Sequence, residues 1–200
     1  MRTFIDILSK SITEVYVSGM YTTDKSDQNL ISSKEEMLLA SNMNTKLGNY
    51  NVKEIEEGKF KTIGLEFNSE IIGFITFTND LIFHDMYPVL VENTIFVKQE
   101  FRNKGIGKIL IDYILDHENH YLLSSNSHSL ENKLLWKSLF KNRSQYNFYI
   151  YYNDHVYTVK DPEEFWDDEN GVTRILVTTL KIDRAAPMPP EVYNEIWWIA

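Results

Sequence analysis

The stretch that decides the fold is NTIFVKQEFRNKGIGKILIDYIL, residues 93–115. A run of β-branched and aromatic residues stops at Val97, a polar passage carries Gly105 and Gly107, and a periodic apolar segment begins at once. The composition of the first part and the helical spacing of the last read as strand, loop, helix. A helix N-terminus leaves its first backbone N–H groups without intrahelical partners and carries a positive partial charge, so a loop opening onto one suits an anion. Glycines there let the backbone approach phosphate oxygens with no Cβ in the way. Gly105 and Gly107, with Arg102, Lys104 and Lys108, are therefore the candidate pyrophosphate cradle.

Two nucleotide motifs fail on this loop. A P-loop requires Gly-x-x-x-x-Gly-Lys-Ser/Thr, whereas Lys108 is followed by Ile109 and no glycine stands five positions before Gly107. A dinucleotide fingerprint requires a third glycine where Leu110 stands.

Working outward, KFKTIGLEF (59–67) and EIIGFITFT (70–78) are β-rich runs separated by Asn68 and Ser69, the signature of a tight hairpin. LVENTIFV (90–97) is a third strand, and the helix after the loop covers GKILIDYILDHEN. YLLSSN (121–126) reads as a strand, SLENKLLWKSLFKN (129–142) as an amphipathic helix, and YNFYIYYN (146–153) and TRILVTTLKI (173–182) as strands. Residues 1–58 read as helical with polar breaks, with Ser32 or Ser33 and Glu35 or Glu36 forming a capping box. The proline-broken tail APMPPEVYNEIWWIA is expected to pack on the body. The order predicts a mixed α/β layer with a parallel crossover around the glycine loop.

Composition narrows the function classes. A chain of 200 residues fits one domain with appendages. The absence of cysteine excludes disulfides, thiolate zinc sites and a cysteine nucleophile. His117 and His120 lack further ligands at metal-site spacing, so no metal is expected. Neither a signal peptide nor an 18-residue apolar span is legible, so no membrane association and a cytoplasmic location are expected. The net charge of −9, concentrated in KEIEEG (53–58) and KDPEEFWDDEN (160–170), disfavours nucleic acid and mildly favours a cationic substrate, although an acidic surface also serves solubility.

Arg102-x-x-Gly105-x-Gly107 after a strand and before a helix resembles the acetyl-CoA-binding motif of the GNAT superfamily of N-acetyltransferases. The hairpin upstream and the strand, helix, strand downstream follow the family's order over residues 30–155. The resemblance implies an α/β fold with a GNAT-like mixed central sheet: antiparallel N-terminal strands, a parallel strand pair splayed at the cofactor site, and flanking helices. It implies a helical lead at 1–29, the domain at 30–155, and an extension from 156 to 200 with a further strand and an acidic, aromatic tail. The fourth family strand carries a bulge, and the pantetheine arm lies where it splays from the fifth. Ile95, Phe96 and Val97 would line that arm, the amides of Asn103, Lys104, Gly105, Ile106, Gly107 and Lys108 would hold the pyrophosphate, and Ser129 stands where the family often has an asparagine contacting CoA.

The implied chemistry is attack of a substrate amine on the thioester of acetyl-CoA, through an oxyanion held by a strand amide. The expected partner is a primary amine on a small molecule or protein. An alkylamine has a pKa near ~10.4 and must lose a proton first. Glu92 is the candidate general base, on the strand leading to the loop with Thr94 and Phe96 on its face; the other reading is a solvated strand-edge carboxylate. His84 and Asp85 follow as base or amine-binding candidates. The family's general-acid tyrosine is replaced by Trp136, so Tyr146, Tyr149, Ser127 or water would have to serve, or the fold binds acyl-CoA without rapid turnover. Trp136 with Leu135, Leu139 and Phe140 also reads as core. An acetyltransferase toxin acting on aminoacyl-tRNA would need a basic groove that the sequence does not show.

Overall fold

The computed structural model describes residues 25–83, 87–118, 121–125, 130–141, 144–152, 155–158, 160, 174–182 and 185–192. Helix α1 is Lys25–Ala40; strands β1 (Thr45–Leu47), β2 (Tyr50–Glu57), β3 (Phe60–Phe67), β4 (Glu70–Phe83) and β5 (Tyr87–Val97) follow. Helix α2 begins at Ile106, is regular to Tyr113 and widens into a π turn over Ile114–Glu118. Then come β6 (Tyr121–Leu123), α3 (Leu130–Phe140), β7 (Asn147–Tyr152), β8 (His155–Thr158), β9 (Arg174–Thr178) and β10 (Ala186–Pro187).

The strands form one sheet in the order β1-β2-β3-β4-β5-β6-β9-β7-β8-β10. Pairing is antiparallel except between β5 and β6 and between β8 and β10. Strand β9 returns from 174 to lie between β6 and β7, so the further strand expected after residue 155 joins the same sheet.

The hairpins have local causes. Asn68 and Ser69 both take positive φ (52° and 64°), the backbone a two-residue turn between twisted strands requires. Gly48 and Gly58 do the same for the two hairpins before it. Helices α2 and α3 cover one face of the sheet: Ile106, Leu110, Ile111, Ile114, Trp136 and Leu139 bury against Ile63, Leu65, Ile75 and Phe77. Each such aliphatic side chain contributes about 1.5–3 kcal/mol. Helix α1 covers the other face through Leu38, packed with Ile71 and Phe74, and Leu38 sits so close to Gly64 that a Cβ there would lie 2.7 Å from its Cδ1.

The structure corrects the reading of residues 1–58 where it describes them. Helix ends at Ala40, and residues 45–47 and 50–57 are strands, because Val52, Ile55 and the charged residues around them are placed by pairing with β3, not by helical spacing. Ser32 and Ser33 lie within α1 and cap nothing at its start. The stretches TFIDILSKSI and most of the apolar tail lie outside the described residues, although Met188 and Val192 do pack on the core. No described helix is long and apolar enough to cross a membrane.

Candidate functional site

The site begins where two parallel strands part. Pairing of β5 with β6 covers Leu90↔Leu122 and Val91↔Leu123, and β5 then runs on to Val97 alongside β4. The chain beyond β6 is captured from its other side. Ser124 N–H donates to the Ile175 carbonyl at 2.8 Å, its hydroxyl accepts from Ile175 N–H at 3.0 Å, and its carbonyl accepts from Arg174 Nε at 2.8 Å. Strand β9 thus draws one branch of the fork away while β4 keeps the other.

At the fork β5 carries an extra residue. Thr76 faces Thr94 and Phe77 faces Glu92, so Asn93 is a bulge. One added residue reverses the alternation of side chains beyond it. Glu92 therefore shares the helix-covered face with Ile95 and Val97, not with Thr94 and Phe96 as strict alternation predicts. Phe96 points to the α1 face against Phe74, ring centroids 5.3 Å apart, and of the three residues expected along the cofactor arm only Ile95 and Val97 turn their side chains to α2.

The loop from Lys98 to Gly105 is a short 3-10 turn followed by two left-handed residues, Asn103 (φ 60°) and Gly105 (φ 80°). Gly105 is the last residue before α2, and a Cβ there would meet nothing within 4 Å. Its glycine answers a backbone requirement in open space. The first intrahelical bond is Ile109 N–H to the Gly105 carbonyl at 3.0 Å, so the amides ahead of it have no helical carbonyl to donate to. Gly107 has another reason. It is buried, and a Cβ would stand 2.9 Å from Leu135 Cδ2 of α3, so its missing side chain sets the approach of two helices.

The basic side chains are engaged. Arg102 Nε donates to the Val97 carbonyl at 3.1 Å, stitching loop to strand, and Lys104 lies 5.1 Å over the Phe101 ring. Lys108 pairs with Asp112 at 2.7 Å and lies 5.4 Å over the Tyr146 ring. Partial burial works against its charge, but Asp112 and Tyr146 outweigh it and raise its pKa.

Glu92 is fully buried, which corrects its reading as a solvated strand-edge carboxylate. Asn132 Nδ2 donates to one carboxylate oxygen at 2.8 Å; Trp136 Nε1 donates to the other at 3.1 Å, with Ser125 N–H more distant at 3.5 Å. Burial pushes its carboxyl above the ordinary range, opposed by the three donors and the charge of Arg174. Trp136 is both core and hydrogen-bond donor. Tyr146 donates to Asp112 and is pushed up to about 12 by burial and that carboxylate, while the Tyr149 hydroxyl accepts from Ile182 N–H at 2.9 Å, so both stand-in acids have other work. His84, Asp85, His120, Ser127 and Ser129 lie outside the described residues. Among the described residues no cluster could hold a metal ion.

Sequence reasoning missed Gly73, whose absent Cβ would stand 2.9 Å from the Phe96 carbonyl oxygen and 3.1 Å from Ile106 Cγ2. It lets the start of α2 seat on the end of β5. It also missed Ser124, Asn132 and Arg174, which build the fork and had no signal beyond being polar residues near apolar runs.

Residues 59–152 match the acetyltransferase (GNAT) domain family model. No curated protein matches the chain. Among solved structures, the diaminobutyrate acetyltransferase EctA from Paenibacillus lautus, in complex with L-2,4-diaminobutyric acid and coenzyme A, is 17% identical, covers 61% of this chain and 72% of that one, and has a TM-score of 0.39. A GNAT family acetyltransferase from Elizabethkingia anophelis with acetyl-CoA bound is 18% identical over 66% and 98%, also at 0.39. A KacTA–DNA complex is 11% identical over 60% and 69%, at 0.36. What the comparisons give is thus a likeness, over residues 59–152, to the acetyltransferase (GNAT) domain.

Proposed function

We propose that this chain transfers the acetyl group of acetyl-CoA to a primary amine of a small molecule or protein, the amine attacking the thioester directly. The observation that carries the reading is the fork: the parallel pairing of β5 with β6 ends at Val91↔Leu123 beside a bulge, and β5 runs on into a loop and a helix N-terminus whose leading amides have no helical carbonyl to donate to. When bound, acetyl-CoA supplies an activated acyl carbon and a thiolate leaving group.

In this reading the amides at Asn103, Lys104, Gly105, Ile106, Gly107 and Lys108 meet the diphosphate, with Arg102 and Lys104 adding charge at the exposed side. Ile95 and Val97 face the pantetheine arm, and the Phe96 backbone runs beside it. A thiol has a pKa near ~8.5, so the thiolate leaves without a protein acid, in keeping with Trp136, Tyr146 and Tyr149 being engaged elsewhere. The amine loses its proton to water, and the rate rises with pH toward the amine's own pKa. The net charge of −9 favours a cationic acceptor over one carried on nucleic acid.

A second reading, an acyl-CoA-binding module with weak turnover, draws on the burial of Glu92. One experiment separates them: incubation with acetyl-CoA and a panel of polyamine, aminoglycoside-type and lysine-peptide amines, read by mass spectrometry. Addition of one acetyl group to a member of one amine class, with stoichiometric CoA release, is the expected result. Tight binding of acetyl-CoA with no acetylated amine across the panel and no CoA release overturns the transferase reading in favour of the module.

A further inference from the structure

Resting on the reading above, we propose that Glu92 is a positioning residue: its carboxylate ties α3 into the mouth of the strand fork and so sets the shape of the thioester site, while taking no proton from the amine. A general base must come within hydrogen-bond reach of the proton it removes, directly or through one water. Glu92 has no exposed surface, and each of its oxygens already receives a protein donor. The donors come from α3 one turn apart, Asn132 and Trp136, with the Ser125 amide from the chain leaving β6. Strand β9 adds Arg174, whose guanidinium is held on the Ser124 carbonyl and whose charge favours the ionised carboxylate. One side chain thus joins both branches of the fork to the helix that roofs it.

The geometry gives that joint a consequence at the cofactor. Helix α3 touches α2 through Leu135 on Gly107, one residue from Trp136. Releasing the Glu92 end lets α3 pivot on that contact and changes the cleft along which the acyl arm lies. A buried acid group with its hydrogen-bond donors in place can specify one arrangement among several. The fork is such a place, because β5 and β6 are paired at only Leu90↔Leu122 and Val91↔Leu123 and must stay apart beyond them.

The test compares the parent with Glu92→Gln, which keeps size and turns a donor group toward donors, and Trp136→Phe, which keeps the carboxylate and removes one donor. Three readouts are taken: hydrogen exchange of the α3 amides, calorimetric affinity for acetyl-CoA, and the pH profile of acetyl transfer. Expected for Glu92→Gln are faster exchange across 130–140, an affinity loss of about tenfold, and an unmoved acidic limb. Trp136→Phe should show the same pattern at smaller size. Unchanged α3 exchange in Glu92→Gln overturns the joint whatever the cofactor does. A kcat loss of about 100- to 10,000-fold with the acidic limb abolished, affinity intact and Trp136→Phe silent overturns the proposal in favour of a general base. A parent that does not bind acetyl-CoA overturns the proposed function, and with it the cofactor consequence drawn here, while the exchange readout still decides the joint.

Discussion

The glycine loop and the Glu92 pocket lie at the two ends of the same stretch of β5, and they are made of opposite materials. The loop is exposed backbone held in left-handed conformations at Asn103 and Gly105, with side chains that fold back on near neighbours: Arg102 on Val97, Lys104 on Phe101, Lys108 on Asp112. The pocket is a buried carboxyl group held by side chains from α3 and the chain after β6, with β9 behind. An exposed loop can yield to a change by local rearrangement, whereas a buried polar group has no solvent to fall back on. The contrast predicts that changes in the pocket cost stability together with affinity, whereas changes in the loop act mainly on affinity.

The largest effect should come from Glu92→Leu. It leaves the Trp136 and Asn132 donors and the Arg174 charge facing an apolar side chain, and should cost about 3 kcal/mol in denaturant unfolding. If that variant instead melts like the parent, the pocket is not what holds α3. The same residue sets a pH dependence. Its pKa in the folded chain is raised above 4.5, so as pH climbs from there the folded chain holds a proton that the unfolded chain has released. Stability from this group therefore falls with rising pH up to the folded pKa, and Glu92→Gln should flatten that part of the melting-temperature profile.

Next comes Gly73→Ala, expected to cost about 2 kcal/mol, because the new Cβ meets the Phe96 carbonyl, which is backbone and cannot rotate away. Gly105→Ala should cost about 1–2 kcal/mol through its positive φ alone, having no neighbour to strike, yet weaken acetyl-CoA binding more than Gly73→Ala does. The smallest effect belongs to Gly107→Ala, within about 1 kcal/mol of the parent: its clash is with the mobile methyls of Leu135, and alanine helps the helix. A double-mutant cycle with Leu135→Ala should show coupling between the two; its absence would mean that α2 and α3 do not meet there.

The same contrast explains what could be read from the chain alone. Arg102, Gly105 and Gly107 signal by spacing within six residues, and the Asn68–Ser69 turn by its own φ preferences, so the loop, the hairpin and the likeness to the GNAT domain were legible. The partners of Glu92 lie 33, 40 and 44 residues away and meet it only after β6 and α3 have packed. The bulge at Asn93 erased the one local cue, since counting alternate residues put Glu92 on the wrong face. Gly107 shows the limit of a correct motif: its place in the loop was legible, but its packing against Leu135 requires a helix that arrives 28 residues later. The strand at 174–178 was legible as a strand, while its insertion between β6 and β7 depends on edges that exist only in the assembled sheet.

The measurement that tests the account most directly is calorimetric titration of acetyl-CoA into the parent and into Gly105→Glu. That substitution places a strained backbone and a negative charge at the helix N-terminus, without touching the α2–α3 contact at Gly107. The account predicts binding at about micromolar Kd by the parent and at least about a tenfold loss in a variant that still melts cooperatively. No binding by the folded parent, or equal binding by the variant, would contradict it.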